Sequence, residues 1–202
     1  MSNQDIFFWG MMLLTLLAVG LAIYRTSVKN NHSERTRRDI RKTLRSMAPL
    51  REWRVLEDVS LTGHKGQVFT TDHLVIGPFG VLVLTDIHQR GNYYGELRDA
   101  EWVISTGGEA KVETLRVRVP NPIKNNEGFV SALREKLTAA EIYNIQVEAL
   151  CPITQGQIQV FVTGAASMVV ENGKLRETLS RQKYQKDNGV DVAKIAALLE
   201  AK

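Results

Sequence analysis

The stretch Thr70–Gly91, TTDHLVIGPFGVLVLTDIHQRG, places Asp72 and His73 near the start of one apolar run and Asp86 and His88 at the end of the next. Carboxylates are the ligands a hard divalent cation takes, and Mg²⁺ is held by one or two of them with several waters. A cation bound there would polarise a phosphate and supply a hydroxide. Asp72 beside His73 could hold a metal, but an isolated Asp on a strand is ordinarily a hydrogen-bonded structural residue. His64, His73 and His88 have no zinc-ligand spacing with Cys151. Other chemistries have less support. GHKG at 63–66 and TGGEAK at 106–111 contain glycine and lysine without phosphate-loop spacing ahead of a helix, and read as hairpin turns. No nucleophile motif is recognisable. Tyr93, Tyr94 and Trp102 could stack bases, although core or turn packing is the plainer role for such rings.

The elements that must position these residues follow from periodicity. Trp53–Leu61 alternates apolar and polar residues, and Gln67–Ile76 and Val81–Ile87 are aliphatic runs around the turn GPFG. Trp102–Ile104 and Val112–Val119 read as shorter strands of the same sheet. PNPIKNNEGFVSALREKLTAAEI opens with a helix start signal and carries Phe129, Val130, Leu133 and Leu137 at helical spacing. IQVEALCPI and QIQVFVTG return to strand, and Leu175–Gln182 and Val190–Ala201 close as helices. Strands, a helix and further strands argue an α/β domain with helices packed on a central mixed sheet.

The first fifty residues have a different character. Ile6–Tyr24 is an uncharged run of 19 residues, close to the length that crosses a bilayer as a helix. No Lys or Arg precedes it, whereas Arg25, Lys29, Arg35, Arg37, Arg38, Arg41, Lys42, Arg45, Arg51 and Arg54 follow. The positive-inside rule then puts the N-terminus outside and the C-terminal part in the cytoplasm. A cleaved signal peptide would want a basic start and a shorter apolar core. The single cysteine suits a reducing compartment. Against Glu34, Asp39 and Glu52, the ten basic residues give 25–54 a net charge of +7; the whole chain carries +4, which leaves −3 for the remainder. Within Ser33–Met47, Ile40, Leu44 and Met47 mark one helix face, while Arg35, Arg37, Arg38, Arg41, Lys42 and Arg45 offer a basic surface to anionic lipid or to nucleic acid. The helix follows the apolar run closely and carries no aromatic group, which favours lipid.

One ordered set of residues resembles a known family. TDHLVIGPFGVLVL, Gly91, Tyr93–Gly95, Trp102, and NPI with Asn and FVSALREKL across 121–137 resemble the nuclease-related domain, NERD, in order and spacing over most of residues 34–165. The resemblance implies a restriction-endonuclease-like fold and, for an active member, Mg²⁺-dependent phosphodiester hydrolysis. It implies an Asp on one strand, matched by Asp72, and a Glu and a Lys two apart on the next. Thr85 and Ile87 stand at those last two positions. The acid usual in the family's first helix falls at Arg37, with Glu34 and Asp39 out of phase. Asp86 cannot simply substitute, because successive strand residues point to opposite faces and a slip would turn Val81 and Val83 outward. A bulge before Asp86 is the device that would pair it with Asp72, with His88 beyond.

The sequence therefore predicts a short extracytoplasmic N-terminus (1–5), a transmembrane helix (6–24), a basic juxtamembrane helix (25–50) and a cytoplasmic NERD-like domain (51–202) in a single-pass protein of the cell membrane. That domain is expected to work by binding nucleic acid or a protein partner, without a cofactor. Two alternatives stand beside this reading: a tethered Mg²⁺ nuclease with its site moved to Asp72, Asp86 and a basic group of the first helix, and a structural interaction module of a membrane assembly. The acidity of the domain outside 25–54 supports the last against DNA binding.

Overall fold

The computed structural model describes residues 38–106 and 115–200. The apolar run Ile6–Tyr24, Arg35, Arg37 and most of the turn at 106–111 lie outside them. Among the described residues no helix is long and apolar enough to cross a membrane.

Residues 38–47 are helical (α1) and bury Ile40, Leu44 and Met47, the stripe the spacing predicts. Strands β1 (Arg54–Thr62), β2 (Val68–Gly77) and β3 (Gly80–Leu84) form an antiparallel meander. The turn at 63–66 joins the first two, closed by the Gly63 N–H to the Gln67 carbonyl at 2.8 Å. The second half of β2, from Leu74, and all of β3 are continuous apolar runs because both faces are covered there. Leu74, Ile76, Val81 and Val83 face one core, and Val75, Leu82 and Leu84 face the other. Each such fully buried side chain contributes about 1.5–3 kcal/mol.

The meander continues through the parallel β7 (Val147–Pro152) to the two-residue β9 (Val169–Val170), giving the order β1-β2-β3-β7-β9. Gly80 stands where β7 begins, with φ +136, and a Cβ there would run into the Gln146 carbonyl oxygen. Helix α2 (Pro122–Ala139) covers one face of the sheet. Gly128 lets it approach, since a Cβ there would enter the Phe69 ring. Asn121 caps α2, its Oδ1 accepting from the N–H groups of Ile123 and Lys124, while its Nδ2 donates to the carbonyls of Leu97 and Asp99. Short α3 (Leu175–Leu179) packs with α1 on the opposite face, and α4 (Val192–Glu200) packs with α2.

The structure corrects several expectations. The strand through Trp102 and the one ending near Val119 do not join the central sheet. They are β5 (Glu101–Thr106) and β6 (Leu115–Pro120) of a separate sheet, ordered β6-β5-β4-β8, with β4 (Gly91–Glu96) and β8 (Ile158–Thr163). β4, GNYYGE, has the composition of a turn, and pairing with β5 and β8 overrides that preference. The strand expected to reach Ile87 stops at Leu84, whose carbonyl also accepts from the Thr71 hydroxyl. The helix expected over Leu175–Gln182 ends at Leu179, and a 3₁₀ turn, Gln182–Tyr184, follows.

Candidate functional site

The residues that matter sit where β2 and β3 cease to pair. His73 lies opposite Leu84 in the ladder. By alternation Thr85 shares with Val83 the face turned to α2, and His73 shares the opposite face with Val75, Leu84 and α1.

On the α2 face a polar chain occupies the core. The Thr85 hydroxyl donates to Asn126 Oδ1 at 2.6 Å and stands 3.3 Å from the Thr71 hydroxyl, which donates to the Leu84 carbonyl at 2.8 Å. Asn126 Nδ2 reaches the Leu150 carbonyl at 3.5 Å and Cys151 Sγ at 3.3 Å. Thr71, Asn126 and Cys151 are buried. Burial, and then the negative charges of Asp86 and Asp72, push the Cys151 thiol well above its ordinary value, so it stays protonated and inert.

Asp72 is half-buried, and its Oδ2 accepts the Asp86 N–H at 2.8 Å. The Asp86 side chain has no exposure, and its Oδ2 lies 3.6 Å from Nε2 of His73, itself 3% exposed. The two aspartates are thus joined through a backbone amide. His88 is half-buried, with Nδ1 3.3 Å from the Asp86 carbonyl, and its own carbonyl accepts from Gln155. Ile87 is 2% exposed in the core under the second sheet, bridged to Ile153. Across β2, the backbone of Asp58 is left-handed at φ +51 inside β1, in the gap between the pairs Glu57 with His73 and Val59 with Thr71.

This donor set does not fit the Mg²⁺ of family chemistry. It offers one carboxylate already accepting an amide, a hydroxyl committed to Asn126, and a buried apolar side chain where a lysine would stand. Among the described residues no group of three or more His, Cys, Asp and Glu could hold a metal ion.

The basic helix is partly consumed within the domain. Arg41 Nε lies 2.9 Å from one Glu57 oxygen and an Arg45 nitrogen 3.1 Å from the other. Arg38, Lys42 and Asp39 are exposed. Of the three rings considered for base stacking, Tyr93 and Trp102 are buried against each other, and Tyr94 is 44% exposed.

Sequence reasoning missed Thr71, Asn126 and the pairing of His73 with Asp86. A signal for Asn126 existed: it lies three residues before Phe129 and three after Ile123, on the apolar stripe of α2. A polar side chain there must find partners inside.

A family model described as the nuclease-related domain, NERD, matches residues 31–154. No curated protein and no solved structure gives a significant match.

Proposed function

Because the chain belongs to the nuclease-related domain family, we propose that it is a membrane-tethered member that binds nucleic acid without cutting it. The observation that carries this is the pair of positions 85 and 87. Thr85 spends its hydroxyl proton on Asn126, and Ile87 is sealed in a core, so neither the second carboxylate nor the lysine of the family's chemistry is supplied. The tether is Ile6–Tyr24, and the exposed Arg38 and Lys42, with Arg35 and Arg37, meet anionic lipid on the cytoplasmic side. Asp86 does not rescue catalysis in this reading, since its carboxylate is fully buried and lies against His73.

The test uses the full chain in detergent micelles with plasmid and single-stranded DNA, Mg²⁺ or Mn²⁺, and an Asp72→Ala control. No cleavage with salt-sensitive DNA retention is expected. Cleavage that disappears in the control overturns the proposal in favour of a displaced nuclease site. A second reading, a protein-interaction module of a membrane assembly, is favoured by the net charge of −3 outside residues 25–54; absence of both cleavage and retention would support it instead.

A further inference from the structure

The two faces of the β6-β5-β4-β8 sheet differ sharply. One buries Tyr93, Trp102, Ile104, Val119 and Ile158 in a core. On the other, the register sets Phe161, Tyr94, Val103 and Arg118 side by side across all four strands. Strands lie about 4.8 Å apart, so this row is about 14 Å long. Phe161 is 53% and Tyr94 44% exposed, and their rings stack with centroids 5.4 Å apart and planes 16° from parallel. One step along, Gln159, Asn92, Ser105 and Arg116 form a second, polar row on the same face.

We propose that this outer face binds single-stranded nucleic acid, with Tyr94 and Phe161 stacking bases and Arg116 and Arg118 holding phosphates. The inference rests on the binding reading above and adds the state of the strand and the surface it meets. These two half-exposed rings stack on each other and belong to none of the hydrophobic cores among the described residues. Aromatic platforms of this kind take bases because every base presents a π-face, and bases paired in a duplex do not offer theirs. The charges select a polyanion over an apolar peptide. Arg118 is 80% exposed and tied only loosely to Glu101, at 3.9 Å. Arg116 is exposed and enters no ion pair among the described residues. Being two apart on one strand, the two guanidinium groups share a face about 7 Å apart, comparable to one phosphate step of an extended strand. Glu96 and Glu101 mark the opposite end of the face, so the polyanion lies toward Arg116, over the row whose amides and hydroxyl can meet base edges.

The experiment measures anisotropy of labelled oligothymidylate, and of its duplex with oligodeoxyadenylate, on the full chain in micelles with a chelator present. Compared with wild type are the double variants Tyr94→Ala with Phe161→Ala, Tyr94→Phe with Phe161→Tyr, and Arg116→Gln with Arg118→Gln. The alanine pair is expected to weaken single-strand binding about ten-fold or more at unchanged salt slope, and the aromatic exchange to restore it. The arginine pair should lower the salt slope by about 1.4. Single-strand affinity within two-fold of wild type in the alanine pair, with wild type binding normally, overturns this inference alone and returns the rings to a protein contact. A wild type that binds neither strand nor duplex overturns the nucleic-acid reading as well. If the alanine pair does not fold, photo-crosslinking of 5-iodouridine strands to wild type decides: adducts at Tyr94 or Phe161 support the surface, and adducts confined elsewhere overturn it.

Discussion

Thr85 and Ile87 each fill a fixed place inside the domain, one bonded to Asn126 and the other sealed under the second sheet. Asn126 Oδ1 only accepts, so a hydroxyl satisfies it at 2.6 Å where a carboxylate in the same pose would repel it. Thr85→Val should cost about 1–3 kcal/mol by leaving that buried acceptor unpaired, with Thr85→Ser close to wild type; urea midpoints measure both. Restoring the family residues is expected to fail. Ile87→Lys buries an ammonium in the core under the second sheet, and the Thr85→Glu, Ile87→Lys double variant should melt well below wild type, with no cleavage gained. Cys151 gives a pH signature. Its thiol is pushed up in the folded state, by burial first and then by Asp86 and Asp72, so the stability it contributes is whole below about pH 8.5 and is lost as pH rises past that value. Denaturant midpoints of wild type should fall between pH 8.5 and 10, and those of Cys151→Ala should fall less. Buried Tyr93 and Tyr184 are raised as well, but an unfolded tyrosine begins to ionise only near pH 10.

At the level of elements, two joints hold the site in register. Asn121 is both the cap of α2 and a clamp on the turn between β4 and β5. Asn121→Ala should cost about 1–3 kcal/mol, more than a surface cap, because two carbonyls lose a donor along with the helix start; a thermal melt against Asn121→Asp separates cap from clamp, since Asp keeps the first and removes the second. Gly80 fixes the approach of parallel β7 to β3. Gly80→Ala puts a Cβ against the Gln146 carbonyl at φ +136 and should destabilise by about 2 kcal/mol or more. The helices and the β2–β3 hairpin were legible from periodicity because each buries a stripe or both faces of its own residues. β4 was not: Gly91, Asn92 and Gly95 have no intrinsic preference for a strand, and only the hydrogen bonds of β5 and β8 make them one.

The whole chain separates its charges, with +7 on residues 25–54 and −3 elsewhere. A membrane tether predicts release by detergent and retention through an alkaline carbonate wash; release by carbonate would sink it. By itself the sequence determined the class of domain, the hairpin carrying Asp72, and the absence of Glu and Lys at 85 and 87, because residue identity and local periodicity need no partner to be read. The tertiary structure alone decided that Asp86 turns to His73, that Asn126 crosses from α2 to Thr85 and Cys151, and that a second sheet forms. It also decided that Tyr94 looks outward beside Phe161, from a strand 67 residues away. Each of these is a contact between segments distant in the chain, and a side chain's face is settled only when the strand beside it is known.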